Sequence, residues 1–347
     1  MKSLGKILVA ILLISTVILA GGCGPSSKAA LNVYNWGDYI DETVLKDFEK
    51  QYKVKVNYDT FTTNEDMYVK LKAGGSSYDL VIPSDYMIKR MIDEDMVEKL
   101  DFNNIPNYQH IGATFKQLDF DPQDQYSVPY MWGTVGILYN KKMVPTTPDS
   151  WKILWDKKYA KQILMMDSQR DCIGITLKML GYSLNSENLS ELEQAKEALI
   201  QQKPLVLAYV VDEVKDKMIA EEAALAVVWS GDAVYCIREN ENLDYVIPKE
   251  GSNLWFDSMI IPKGAANKEA AENFINFMCD TEIAFRNADY IGYSSPHTEA
   301  VKKLPREITD NRSAYPLEED LTNCEVFTKL VNVLKEFDRI WTEVKAE

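Results

Sequence analysis

Histidine is scarce in this 347-residue chain, occurring only as His110 and His297. That excludes a His-rich metal centre, and no metal ligand set or cofactor is expected. With neither HExxH nor GxSxG present, the usual nucleophile–base and zinc-hydrolase arrangements are missing as well. Cysteine is sparse too. Cys172, Cys236, Cys279 and Cys324 show no CxxC or metal-type spacing. They either pair after export or stand as single buried thiols, and single thiols are expected. Positive charge is in deficit, with 38 Lys and Arg against 53 Asp and Glu, a formal net charge of −15. Such a surface repels nucleic acid and anionic membrane and favours cationic partners, although it also serves solubility alone.

No apolar run is long enough for a comfortable membrane span. The longest, "ILVAILLISTVILA" from Ile7 to Ala20, has 14 residues, follows Lys2 and Lys6 and leads into "GGC" ending at Cys23. This is the layout of a signal peptide over residues 1–22. Cys23 after small residues resembles a bacterial lipobox, with Leu19 one position further upstream than the usual pattern. An ordinary signal peptide ending near a Cys is the alternative. Lipidation at Cys23, with residues 23–30 ("CGPSSKAA") as a flexible tether, is the expectation. The product would sit on the outer face of the cytoplasmic membrane or in a periplasm. Removing two lysines and no acids takes the charge from −15 to −17.

About 325 residues then remain (347 less 22), more than one core usually supports, so two domains are expected. From Leu31 strand and helix alternate. "LNVYN" (31–35), "VKVNY" (54–58) and "DLVIP" (79–83) read as strands, with helices between them and Asp41 capping the first. "YSVPYMWGTVGILYNKKM" (126–143) is a long β-like stretch able to carry the chain between domains. "KQILMMD" and "AALAVVW" follow as strands, separated by the helical "SENLSELEQAKEALIQQ". The rhythm implies an α/β fold with mostly parallel sheets flanked by helices.

Ligands of open α/β sheets bind beyond the carboxyl ends of the strands. Here those ends carry acids and aromatics: Trp36, Asp38 and Tyr39; Ser84, Asp85 and Tyr86; Asp167 and Asp171; Trp229 and Asp232. In "EGSNLWFDSMIIPKG" (250–264), Trp255 and Asp257 read as a loop guarding a fifth strand. None of the five ends carries a Lys, and Arg170 is the only basic residue close by in sequence. Such a cleft suits an organic cation. A carboxylate at contact distance is worth about 4 kcal/mol at an effective dielectric of 20, before desolvation. An aromatic face adds about 0.5–2 kcal/mol, and each buried methylene about 0.8 kcal/mol. An α,ω-diamine or polyamine uses all three. Taken singly, each Asp is as well explained by a structural role: Asp38 and Asp167 as helix caps, Asp171 as a partner of Arg170 or Lys178, Asp232 as a turn residue. Their recurrence at successive strand ends favours a site.

At these residues the sequence resembles the substrate-binding lipoproteins of spermidine/putrescine ABC transporters. The matching stretches are "YNWGDYI", "YDLVIPSDYMIKRM", "YSVPYMWGTVGILYN", "VVWSGDAVY", "IPKEGSNLWFDSMIIPKGAANKEAAENFINFM" and "IGYSSP", in the family's order. The resemblance implies a two-lobed, clamshell periplasmic-binding-protein fold with the ligand in the interlobe cleft. It implies residues 31–136 and 258–305 in one lobe and 137–257 and 306–347 in the other. Trp36, Tyr39, Ser84 and Tyr86 would wall the first lobe's side, with Asp257 at the crossover holding an amine. Trp229 and Trp255 would pack on the methylene chain, and Asp171 stands where the family has a carboxylate. Ser168 falls where spermidine-preferring members tend to carry Asp, and Phe327 replaces a polar residue. Asp38 and Asp232 match the pattern of putrescine-preferring members. The site is therefore a hybrid, with putrescine placed ahead of spermidine. A monomer that delivers a polyamine to a permease and its ATPase, without catalysis, is implied.

Other readings are a binding protein for another organic cation or a sugar, a cation-sensing lipoprotein, and an extracellular hydrolase using a carboxylate pair such as Asp167 with Asp171.

Overall fold

The computed structural model describes residues 30–74 and 77–346. The expected leader, the lipidation site at Cys23 and all of the tether before Ala30 lie outside the described residues. The chain begins with β1 (Ala30–Trp36), α1 (Glu42–Tyr52), β2 (Lys55–Phe61), α2 (Asn64–Lys72), β3 (Leu80–Val81) and α3 (Asp85–Asp93). After irregular chain with 3-10 turns come β4 (Ser127–Asn140), β5 (Ile163–Met166), α4 (Gln169–Met179), α5 (Leu189–Gln202), β6 (Val206–Val210) and α6 (Glu213–Ile219). Then follow β7 (Leu225–Trp229), α7 (Ser230–Glu239), β8 (Leu243–Val246), β9 (Leu254–Ile260), α8 (Lys268–Met278) and α9 (Thr281–Ile291). The chain closes with one-turn helices and α10 (Leu334–Ala346).

Local chemistry explains the boundaries. The Asp41 carboxylate accepts the Thr43 N–H at the start of α1, and Lys53 ends that helix in the left-handed region, φ 60°. Val44 and Phe48, one turn apart, face inward. Phe48 meets Phe274 of α8 edge-on at 5.0 Å, joining the first and later segments of the chain.

The strands form one mixed sheet in the order β2-β1-β3-β9-β4-β7-β5-β6, with β8 also on β4. The outer pairs β1–β2, β1–β3, β5–β6 and β5–β7 are parallel, as the alternation implies. The central pairs β3–β9, β9–β4, β4–β7 and β4–β8 are antiparallel, so the sheet is less parallel than the sequence reading expects. Parallel pairing needs a crossover helix. Irregular chain precedes β4, and a turn precedes β9.

β4 spans both halves of the molecule. Residues 127–134 run against β9, and residues 135–140 against β7 and β8. The expected lobe boundaries at 136/137 and 257/258 thus fall inside β4 and β9; β4 runs through both halves, whereas all of β9 pairs with residues 127–134 of β4 and with β3. Trp255 and Asp257, expected in a loop ahead of a strand, lie within β9, paired opposite Gly133 and Met131. Cys172, Cys236 and Cys279 are buried and unpaired, and Cys324 is half-buried and unpaired.

One glycine ties the C-terminal segment to the sheet. Gly251 has φ 86°, and a Cβ there would lie 1.8 Å from the Asn323 carbonyl oxygen. Gly251→Ala is expected to destabilise the protein by about 2–4 kcal/mol in denaturant unfolding, through strain and displaced backbone. A loss below about 1 kcal/mol would mean that the turn at Asn323 moves aside at little cost.

Candidate functional site

The strand ends converge on one cavity of about 420 Å³. Trp36 closes β1 and Trp229 closes β7, and their rings stand 6.4 Å apart across the opening. Three helices aim their N-termini at the same space. Ser84, Asp85 and Tyr86 open α3, Ser168 and Asp171 open α4, and Ser230 and Asp232 open α7. Acids in a first helical turn are favoured by the partial positive charge there. All twelve expected site residues line this cavity: Trp36, Asp38, Tyr39, Ser84, Tyr86, Ser168, Asp171, Trp229, Asp232, Trp255, Asp257 and Phe327.

Asp257 is the central group. It is 5% exposed, and its Oδ2 accepts the Tyr39 hydroxyl at 2.9 Å. Its Oδ1 is buried with no hydrogen-bond partner. No Lys or Arg pairs with Asp257 among the described residues, so a neighbouring basic side chain is not the answer to its burial. Desolvation pushes its carboxyl up to about 7, against the pull of the hydroxyls beside it. Asn253 Oδ1, also on the cavity wall, is a second buried acceptor without a donor. Tyr293 stands edge-on to both Tyr39 (5.1 Å) and Trp255 (5.5 Å), so the acid sits in an aromatic frame. Asp85 holds this frame in place, its carboxylate accepting the Phe256 N–H at 2.9 Å and tying β9 to α3. Burial pushes Asp85 up to about 8.

The structural alternatives for the other acids resolve differently from the sequence reading. Ser168, not Asp167, caps α4, and Asp38 caps no helix. The Ser168 hydroxyl donates to Asp171 Oδ2 at 2.6 Å, so Ser168 and Asp171 act together. Asn253 donates to Asp171 Oδ1 at 3.3 Å, and burial raises the Asp171 carboxyl. Arg170 does not pair with Asp171. Its guanidinium lies over Phe327 (4.3 Å) and Tyr86 (4.9 Å) and donates to the Thr328 carbonyl and Asn185. Lys178 pairs with Glu325 instead. Asp167 is engaged by Lys345 Nζ at 2.8 Å.

Residues the sequence reading missed complete the wall. Glu65 accepts the Tyr86 hydroxyl at 3.0 Å, and burial raises its carboxyl. Asp212 lies so close to Gly37 that a Cβ on Gly37 would meet its Oδ2 at 2.7 Å. The expectation that Arg170 is the only nearby base fails. Lys215 of α6 places Nζ 2.7 Å from Asp38 Oδ2 and 3.9 Å from Asp232 Oδ1. Asp38 therefore faces the cavity with a partner already in hand. Burial pushes Asp232 up to about 6, opposed by Lys215 and the Tyr293 hydroxyl. Lys215 lies just beyond β6, a strand the sequence reading did not find, so strand-end reading passed over it. Tyr293 was visible only as part of "IGYSSP".

A cavity between two sheet-and-helix halves joined through β4, walled by acids and aromatics, is the architecture of a solute-binding protein. The match of residues 43–314 to the family described as bacterial extracellular solute-binding protein places the chain in that family. It is 37% identical over 293 residues to the spermidine/putrescine-binding periplasmic protein of Salmonella typhimurium, covering 84% of each chain. A solved structure from Listeria monocytogenes matches with TM-score 0.89 and 44% identity over 92% of this chain and 99% of that one. The spermidine/putrescine substrate-binding protein PotD of Streptococcus pneumoniae matches with TM-score 0.78 and 42% identity, covering 92% and 99%.

Because folded-state burial raises Asp257, its charged form costs stability above pH 7, and this cost vanishes as pH falls towards 4. Asp257→Asn should therefore raise the melting temperature of the protein without ligand at pH 8, worth about 1–2 kcal/mol. A lowered melting temperature would show that the ionised carboxylate is needed for the fold itself.

Proposed function

We propose that this protein captures a short polyamine outside the cytoplasm and delivers it to an ABC permease and its ATPase. The observation that carries this reading is the Asp257 Oδ1, a buried carboxylate oxygen without a donor, inside an aromatic cage. An ammonium is the ligand group that supplies both charge and N–H donors to it. Tyr39 fixes the carboxylate, Trp36, Trp229 and Trp255 offer faces to the methylenes, and Asp171 offers a second carboxylate on the cavity wall. The relatives from Salmonella typhimurium and Streptococcus pneumoniae are both named for spermidine and putrescine.

Putrescine is placed ahead of spermidine. Ser168 is committed to Asp171, and Phe327 lies against Arg170, which leaves little at that end for a further amine. The protein is read as a binding protein rather than an enzyme, in keeping with its solute-binding family, and Asp167 is already paired with Lys345. The lobes are taken as 31–136 with 258–305 and 137–257 with 306–347, hinged along β4 and β9. Export, lipid attachment at Cys23 and a monomeric state complete the proposal. No described helix is long and apolar enough to cross a membrane.

A second reading has its own observation. The indole N–H groups of Trp36 and Trp255 are buried without acceptors. An organic cation that also carries a hydroxyl or carbonyl would satisfy them.

Isothermal titration with putrescine, spermidine and a neutral sugar tests the class. Amine binding without sugar binding is expected, and Asp257→Asn should weaken the diamine by more than about tenfold with the fold intact. Unchanged affinity would remove Asp257 from the site. In the unsubstituted protein, affinity should fall by up to about tenfold per pH unit below pH 7, as protons compete for Asp257. A flat profile between pH 5.5 and 8 would mean the amine is held elsewhere.

A further inference from the structure

Lys215 has no part in the amine-binding reading above, yet it stands immediately behind the cavity wall. Its side chain is 14% exposed, with its ammonium among Asp38, Asp212 and Asp232, all of which line the cavity. The contact to Asp38 is at hydrogen-bond distance, 2.7 Å, and that to Asp232 is 3.9 Å. The charges at this end are therefore three carboxylates and one ammonium, −2 rather than −3. Burial pulls Lys215 down, but Asp232 and Asp38 outweigh it and hold its ammonium above the ordinary lysine range. The Tyr293 ring separates this end from the other. Its hydroxyl reaches Asp232, while its ring edges meet Tyr39 and Trp255 beside Asp257. Gly231 permits that placement, since a Cβ there would lie 2.3 Å from the Tyr293 ring.

The cavity thus has two acidic ends of different character. At the Asp257 end an acceptor is open. At the Asp38–Asp232 end the chain supplies its own ammonium. We propose that Lys215 is a specificity residue, a resident cation that takes the place of a ligand amine at the Asp38–Asp232 end and so sets the cleft against ligands with an extra amine. The proposal rests on the amine-binding reading and goes beyond it. A further ligand ammonium at this end would compete with Lys215 for Asp38, whose side chain is 69% exposed, and for the buried Asp232, and would feel like-charge repulsion from the Lys215 ammonium. A diamine that places its second charge elsewhere avoids that penalty.

The same contact also joins the two halves, because Asp38 follows β1 and Lys215 belongs to α6. Losing it would weaken closure for every ligand alike. The ratio of affinities separates the two effects.

The experiment is titration of the purified chain and of Lys215→Met, Lys215→Gln and Lys215→Arg with putrescine and spermidine, with melting temperatures as a check on folding. The spermidine-to-putrescine affinity ratio should rise about fivefold or more in both neutral variants and stay near the unsubstituted value in Lys215→Arg. A ratio unmoved in Lys215→Met and Lys215→Gln, whatever happens to absolute affinity, would overturn the proposal and leave Lys215 as a tie between lobes. Failure of the unsubstituted protein to bind either amine would instead sink the amine reading on which the proposal rests.

Discussion

A carboxylate oxygen buried without a donor is the constraint around which this structure is arranged. Asp257 sits in the middle of β9, a strand with neighbours on both sides, so the acid cannot swing out to water without breaking pairing to β3 and β4. Tyr39 satisfies one oxygen, Asp85 pins the adjacent backbone, and Tyr293 and Trp255 exclude solvent. Each of these groups raises the energy of the charged acid or holds it where water cannot relieve it. A fold tolerates such an arrangement when a ligand repays the desolvation, and marginal stability makes the trade visible.

The remaining acids are relieved internally, and by different means. Helix N-termini face Asp85, Asp171 and Asp232. Ser168 and Asn253 donate to Asp171, Lys345 takes Asp167 and Lys215 takes Asp38. Arg170 adds positive charge behind Tyr86 and Phe327, stacked on rings and hydrogen-bonded to neutral groups. A cleft rich in carboxylates therefore offers few open acceptors. Selectivity follows from that economy, because a ligand amine profits only where an acceptor is left unpaired.

The strand-helix rhythm, the Asp41 cap and ten of the twelve site residues were legible from short spacings and the rule that sites lie beyond strand C-termini, while Ser168 and Phe327 came only from the family resemblance. Ligand-facing residues at the ends of β1, β5 and β7 needed no tertiary knowledge. Three features were not legible. The antiparallel centre depends on β4 and β9 pairing across about 125 residues, which periodicity does not report. Trp255 and Asp257 carry turn residues nearby in sequence, so they read as loop, whereas pairing to β4 draws them into the strand. Lys215 and Glu65 lie on helices whose local pattern is that of an ordinary solvated face, and tertiary packing against Asp232 and Tyr86 is what brings them to the cavity.

That approach bears on how a ligand would close the molecule. The halves already touch through Asp38–Lys215, through Asp93–Lys329 at 2.9 Å and through Tyr86 edge-on to Phe327 at 5.8 Å. The ion pairs have at least one well-exposed partner or are half-exposed on both sides, and such pairs contribute about 0–1 kcal/mol each. Contacts of this size make the closed arrangement accessible without making it dominant. The larger difference between open and closed then belongs to the ligand, through groups it can touch from both sides at once. Asp257 keeps one buried oxygen without a donor, so a cation that reaches it and also touches the walls across the cavity favours closure through contacts that the protein's own interlobe pairs do not make.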